Sequence, residues 1–353
     1  MMNFCQRTLL MSSLLLLQLA AGCSVKDSST GSPPPSKVEI AAPLKSDGGG
    51  SQSEADEFAA VLTPSSDKQT GEVIADGSST VFPITQAVAE EFMKVHSGVK
   101  VSVGIAGTGG GFKRFVVGDT DINDSSRAIS EKEIEACQKN GIEYLELKIA
   151  IDGLSVVVHP TNDWCKVMTV AQLKALWSPG STVKKWKELD ASWPDTEIRL
   201  YGAGPDSGTF DYFTEVIVGK AKSSRSDYEA SEDDNKLVQG INGDKNSLGY
   251  FGYAYYADNQ DKVKLVAIAN GDDASKAVTP TEETILNGTY KPLSRPLFVH
   301  VNLKSLKKPQ VREFLKYYIS KGQEYVQEVH YIQLPADDLK DSRKRLAEAL
   351  SGK

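Results

Sequence analysis

Three short runs of Gly, Ser and Thr limit what this chain can fold into. Each run stands directly before a stretch whose apolar residues recur at the spacing of one helix face. This pattern predicts helix N-termini, where the first backbone N–H groups have no partner within the helix and the helix dipole is positive. Such ends bind an oxyanion without a metal or a cofactor. We expect the three runs to surround one small anion: Asp76–Val81, Gly107–Gly111 and Asp206–Phe210.

The composition is that of a folded, acidic chain with room for two domains. It has 353 residues, of which 40% are apolar and 25% are charged, and its net charge is −7. The negative charge argues against nucleic acid as a partner. It does not argue against an anionic ligand, because a few dipoles aimed at one point act locally.

The first residues have the organisation of an export signal. Met1–Arg7 carries a positive charge, Thr8–Ala21 is rich in Leu, and Ala20-Ala21-Gly22-Cys23 is a run of small residues that ends in Cys. We therefore expect a signal peptide over residues 1–22. The small residues directly before Cys23 also resemble a bacterial lipoprotein signal, which implies lipidation of Cys23. The alternative is an uncleaved membrane anchor, but the apolar run is interrupted and falls short of the ~20 residues that a membrane span needs.

A polar tether is predicted between this leader and the folded body, over residues 23–71. The segment is rich in Ser, Gly and Pro, and it has too few apolar side chains to offset the entropy lost on ordering. A short helix is expected within residues 54–62.

Two of the four cysteines, Cys137 and Cys165, belong to the predicted folded body. In an exported protein two such cysteines commonly pair, so a Cys137–Cys165 disulfide is the first interpretation and two free buried thiols are the second. The Cys and His residues have no zinc-ligand spacing, and we expect no metal site.

Strands alternate with helices along the body, which predicts an α/β fold with mainly parallel sheets. Ser130 and Glu133 form a predicted capping box, and Thr169 is the predicted cap of a later helix. Two helices are expected near the end of the chain, over residues 309–320 and 337–349. The aromatic stretch Tyr250–Tyr256 is expected to pack in the core or between the lobes rather than to form a platform for a ligand.

Over residues 72–335 the chain resembles the periplasmic phosphate-binding proteins of high-affinity phosphate ABC transporters. One motif alone would be weak, but all of them occur in the family order. The motifs that carry the resemblance are Asp76–Pro83, Gly107–Gly111, Ser125–Arg127, Lys174–Trp177 followed by Trp186, Asp206–Thr209 and Ser247–Tyr253.

The resemblance implies a periplasmic-binding-protein type II fold, with two α/β lobes, a hinge and the ligand in the cleft between the lobes. Lobe 1 is expected over residues 72–152 and 295–353, and lobe 2 over residues 153–294. It further implies an exported, lipid-anchored, monomeric binding protein without catalytic activity or cofactor. Its implied partners are inorganic phosphate and the permease subunits of an ABC transporter.

The family's phosphate ligands fall on hydroxyl and N–H groups of the matching motifs and on one arginine, Arg127, whose planar fork suits two oxygens. Two positions depart from the pattern. Some relatives have Arg at the place of Ala203, and some have Asp at the place of Ser126, where the carboxylate accepts the proton of hydrogen phosphate. Asp124 and Asp206 are candidate replacements for that acceptor. The implied ligand residues are Ser79, Thr80, Val81, Thr108, Gly109, Ser126, Arg127, Ser207, Gly208 and Thr209.

Several alternatives stay open. Taken singly, each small-residue run is a tight turn or a helix cap. The same fold could bind sulfate or molybdate, or the protein could be a phosphate sensor or a surface lipoprotein without transport. A phosphatase with Ser207 as nucleophile is disfavoured, because residues 204–208 lack the Gly-x-Ser-x-Gly pattern and no base stands ready in the sequence.

Overall fold

The computed structural model describes residues 58–65, 68–205, 207–231 and 233–352. The predicted signal peptide, the lipidation of Cys23 and most of the tether lie outside these residues. Within them, helical residues 58–62 (α1) are followed by the elements below. The strands are β1 (Gly71–Gly77), β2 (Val99–Val103), β3 (Ile122–Ser125), β4 (Tyr144–Val158), β5 (Val167–Thr169), β6 (Arg199–Ala203), β7 (Glu229–Ser231), β8 (Ser247–Gly252), β9 (Lys264–Leu265), β10 (Ala267–Ala269) and β11 (Ser294–Asn302). The helices are α2 (Phe82–Val95), α3 (Thr108–Phe115), α4 (Glu131–Asn140), α5 (Val170–Trp177), α6 (Gly208–Phe213), α7 (Asp234–Gly243), α8 (Tyr253–Ala257), α9 (Glu282–Leu286), α10 (Pro309–Glu328) and α11 (Ala336–Ser351).

One long sheet runs through the described body in the strand order β2-β1-β3-β11-β4-β8-β6-β7. The outer members on each side are parallel, as the sequence predicts, but β4 and β11 are antiparallel to their neighbours. The sheet is therefore mixed. The 15 residues of β4 pair with β11 through Gly153 and with β8 from Leu154 onward. This change of partner lies beside the predicted lobe boundary at residues 152/153, which stays a prediction.

Each half of the sheet has its own apolar core. Ile84, Val88 and Phe92 share one face of α2, and with α10 they cover β1 and β11 in the first core. The second core contains Trp177 and Trp186. The predicted aromatic packing is confirmed there, since Tyr250 is fully buried in β8. The two largest clusters, one in each half of a continuous sheet, give two α/β lobes, and two smaller clusters lie around Phe251 and Phe112.

Local signals fixed several helix starts as predicted. Glu133 accepts hydrogen bonds from both the N–H and the hydroxyl of Ser130 at the start of α4, and the N–H of Gln172 donates to Thr169 Oγ1 at the start of α5 (3.1 Å). The two C-terminal helices are confirmed, although α10 runs to Glu328 rather than 320 because its apolar face continues through Val326.

The folded body begins before residue 72, where the sequence analysis ended the tether. Phe58 and Leu62 of α1 pack against the first core, and Leu62 is buried. This apolar contact stabilises the short helix. The polar composition of the neighbouring sequence gave no sign of this contact.

The predicted Cys137–Cys165 disulfide is not present, because both thiols are free and buried. Cys137 lies on α4 against Phe112 and Phe115, whereas Cys165 lies in the core of the other lobe. The second interpretation, two buried thiols, is the correct one.

Two features are absent from the described residues. No helix among them is both long and apolar enough to cross a membrane. These residues also contain no group of three or more His, Cys, Asp or Glu side chains that could hold a metal ion.

Candidate anion-binding site

The small-residue runs lie where strands end. Ser78–Thr80 follows β1, Thr108 begins α3 shortly after β2, Ser126 follows β3 and Ser207 follows β6. β2, β1 and β3 are adjacent and parallel, so their carboxyl ends form one edge in the first lobe. This edge is where open α/β sheets bind their ligands.

Within the first lobe, the turns are bonded to one another. The hydroxyls of Thr108 and Ser126 lie 3.0 Å apart, and the N–H of Ser126 donates to Thr108 Oγ1 (3.2 Å). Asp76 also stabilises these turns, because its Oδ1 accepts hydrogen bonds from the N–H groups of Gly77 (2.8 Å) and Ala106 (3.0 Å).

The turns of the two lobes touch each other directly. Thr80 Oγ1 donates to the carbonyl oxygen of Gly208 (3.2 Å), and Ser79 Oγ donates to Asp211 Oδ2 (2.6 Å). A Cβ atom at Gly208 would lie 2.6 Å from Thr80 Cα, so only glycine allows this approach. The structure thus brings the predicted residues of both lobes together in a closed arrangement.

Some predicted N–H donors are already engaged. The N–H of Val81 donates to the Ser78 carbonyl (3.2 Å), and the N–H of Thr209 donates to the Ser207 hydroxyl, which caps α6 (3.1 Å). Gly109 lies in the first turn of α3 with open space beside it. Asp206 lies outside the described residues.

The guanidinium of Arg127 is hydrogen-bonded to residues close to it in the chain. Its two terminal nitrogens each donate to an oxygen of Glu133 at 2.8 Å, and its guanidinium carbon lies 5.5 Å from the centre of the Phe112 ring. The hydrogen bonds to Glu133 raise the pKa of Arg127, so its charge is secure. Its side chain is thus bound to Glu133, which forms the capping box at the start of α4 together with Ser130.

Arg295 is the functional candidate that the sequence analysis missed. It lies on β11, where it pairs in register with Asp152, and its Nη2 donates to Thr80 Oγ1 (3.0 Å). Its guanidinium lies 3.4 Å from the centre of the Tyr212 ring. The available signal was an arginine inside the mostly apolar stretch 292–301, since an arginine that is buried there needs a partner.

Two buried carboxyls near the site have raised pKa values. Burial raises the pKa of Asp152 to about 6, against the opposing effect of Arg295. Burial raises the pKa of Asp124 to about 8, although a hydrogen bond from Thr85 opposes the shift. Below this pH the Asp124 carboxyl is mainly protonated, so it can donate a hydrogen bond while it still accepts the one from Thr85.

These features define a class of protein. Two α/β lobes share continuous strands, and polar turns from both lobes meet at the contact between them. This is the arrangement of a two-lobed binding protein that holds a small ligand between its halves.

Comparisons with known proteins agree with this class. The PBP superfamily domain matches residues 62–321. Protein SphX of Synechococcus elongatus is 46% identical over 75% of this chain and 78% of its own length. The phosphate-binding protein PstS of Staphylococcus saprophyticus is 37% identical over 81% of this chain and 87% of its own length.

A solved structure extends the agreement to three dimensions. A possible phosphate binding protein from Planctomyces limnophilus superposes with a TM-score of 0.77 at 51% identity, and the match covers 80% of this chain and 100% of that one. The chain therefore belongs to the PBP superfamily, in the family that includes SphX and the PstS proteins.

Proposed function

We propose that this protein captures inorganic phosphate between its two lobes outside the cytoplasm and delivers it to the permease of a phosphate ABC transporter. The names of PstS and of the Planctomyces limnophilus protein support phosphate as the ligand. The observation that carries the proposal is the meeting of Thr80 and Gly208 across the lobes, at the same sheet edge as the Thr108–Ser126 pair.

The proposed chemistry is capture by hydroxyl and N–H donors in a site from which closure excludes water. Thr80, Thr108, Ser126 and Ser207 are neutral, so they stabilise an anion through dipoles that closure holds in place. Hydrogen bonds to an ionised group are about twice as strong as neutral ones. They gain further strength when the surrounding dielectric falls.

Calorimetric titration with phosphate, sulfate and molybdate tests the proposal. We expect a phosphate Kd of about 1 μM or tighter, which corresponds to about −8 kcal/mol, and much weaker binding of the other two anions. Equal affinity for phosphate and sulfate would contradict phosphate selectivity. Tight binding of molybdate or sulfate alone would favour the same fold with another oxyanion.

The protonated state of phosphate is central to selectivity. A site that discriminates against sulfate needs an acceptor for the phosphate proton, because an acceptor facing a sulfate oxygen would be left unpaired. Asp124 fits this role only above about pH 8, where it is ionised. Selectivity that improves between neutral and alkaline pH would support Asp124, and selectivity that is independent of pH would count against it.

Export and anchoring rest on the leader. We propose that Cys23 carries a lipid and that residues 24–57 separate the body from the membrane, so that a monomer reaches the permease. A C23S variant should lose its partition into membranes. A C5S variant is the matched control, because cleavage before Cys23 removes that position. A C23S variant that stays with the membrane fraction would contradict the anchor.

A further inference from the structure

The arginines near the site differ in how firmly other groups hold them. Both terminal nitrogens of Arg127 are bound to Glu133, which also accepts bonds from Ser130, so releasing this guanidinium would disturb the start of α4. Arg114 is paired with Asp76 and is about half exposed. Among the arginines that the structure describes, Arg295 is the one whose guanidinium donates to a hydroxyl of the predicted site.

Several contacts fix the orientation of the planar guanidinium of Arg295. The Tyr212 ring lies beneath it at 3.4 Å, and the Tyr212 hydroxyl donates to the carbonyl of Pro292 (2.7 Å), just before β11. Tyr212 belongs to α6, the helix that begins with Gly208. Stacking on an aromatic face holds the guanidinium flat and leaves its edges for hydrogen bonds.

The terminal nitrogen Nη2 is the one that reaches the predicted ligands. Nη2 donates to Thr80 Oγ1 and has a second N–H group to offer, whereas Nε is buried and ion-paired with Asp152 Oδ2 at 3.5 Å. The side chain is only 13% exposed. An oxyanion held by Thr80 would therefore lie within reach of Nη2.

We propose that Arg295 supplies the positive charge of the phosphate site and binds the anion through Nη2, beside Thr80. This inference rests on the proposed phosphate function. Arg295 contacts Thr80 of the first lobe and Tyr212 and Glu215 of the second, so the anion is gripped best when the lobes are closed.

Calorimetry on R295Q tests the assignment. Loss of the positive charge and of its charge-assisted bond should weaken phosphate binding by up to about 100-fold. R295K keeps the charge without the fork, and we expect it to bind about 10-fold more weakly than wild type. R199Q is the matched control: Arg199 begins β6, and its side chain is 65% exposed. Thermal unfolding without phosphate shows whether each variant is folded.

The outcomes separate the two proposals. If wild type does not bind phosphate, the proposed function fails. If wild type binds and folded R295Q or R295K binds equally well, Arg295 is not the ligand and the function stands. A loss in R127Q with wild-type affinity in R295Q would return the role to Arg127. If R295Q does not fold, R295K decides alone.

A substitution that should strengthen phosphate binding distinguishes a ligand from a structural residue. Glu215 Oε2 lies 3.4 Å from Arg295 Nη1, and its side chain is half exposed, so E215Q should fold. Because this carboxylate competes with the anion for the guanidinium, its removal should strengthen phosphate binding about 2- to 5-fold. Unchanged or weaker binding in E215Q would count against the assignment.

Discussion

Asp124 is a fully buried carboxyl on β3 with one side-chain hydrogen bond. Its Oδ1 accepts from Thr85 Oγ1 (3.0 Å), its Oδ2 has no partner among the described residues, and burial raises its pKa to about 8. In the unfolded chain an aspartate has a pKa of about 3.9. Between these two values the folded protein holds one proton more at this position than the unfolded chain does. The free energy of unfolding therefore falls as pH rises through this window.

The D124N variant should lack this pH dependence. Its free energy of unfolding should exceed that of wild type by a margin that grows between about pH 5 and pH 8, at up to about 1.4 kcal/mol per pH unit. Urea unfolding at several pH values measures the margin. D119N, which changes an exposed aspartate, should follow wild type throughout. A constant margin between D124N and wild type would show that Asp124 is ionised in the folded protein.

At the residue scale, the hydroxyls of the predicted site were easier to propose from the sequence than its positive charge. Thr80, Thr108 and Ser126 stand at helix starts and turns, which are local features of a sequence. Their role as ligands stays a prediction, and so does that of Arg127, whose side chain is hydrogen-bonded to Glu133, six residues further on. The approach of Arg295 to Thr80 spans 215 positions, and no local pattern records such a contact.

At the scale of elements, the start of α6 comes very close to the turn after β1 in the other lobe. The backbone of Gly208 approaches Thr80 so closely that a methyl group cannot fit without displacing backbone atoms. Parallel strands and turn positions were predictable, because their signals lie within a few residues. The antiparallel insertion of β4 and β11 was not, because the pairing of distant strands has no local signal.

A G208A substitution should weaken phosphate binding by preventing full closure. Overpacking of this kind costs about 1–3 kcal/mol, which is about 5- to 150-fold in affinity. Titration calorimetry measures the change. G243A serves as the control, since a methyl group there would meet no atom within 4 Å. Equal affinities for G208A and G243A would mean that phosphate binds without the approach of Gly208 to Thr80.

At the scale of the whole folded body, a side-chain bond joins the lobes without any ligand. Asp211 accepts a hydrogen bond from Ser79 across the contact (2.6 Å), and Lys222 lies 3.7 Å from the same carboxylate oxygen. This bond lowers the free energy of the closed state alone, so it shifts the population of ligand-free protein toward closure.

The D211A variant should therefore be more open when phosphate is absent. Small-angle X-ray scattering should give a larger radius of gyration than for wild type, and saturating phosphate should bring both proteins to the same value. Phosphate affinity should fall about 2- to 10-fold, as expected for the loss of one hydrogen bond. D261A, on an exposed position of lobe 2, is the control. Identical radii for ligand-free wild type and D211A would contradict this account.

The strands β4 and β11 run side by side through the junction of the lobes, with backbone hydrogen bonds from Tyr144–Asn302 to Gly153–Ser294. Two strands bonded in this way can bend together, but they cannot slide past each other. Any separation of the lobes is then a rotation about one line through the junction, and each atom moves in proportion to its distance from that line. Arg295 lies on β11 at this junction, and Gly208 is near it, because Thr80 Oγ1 is hydrogen-bonded to both residues. Even a small rotation near Asp152 would therefore be enough to lengthen the 3.2 Å bond between Thr80 and Gly208.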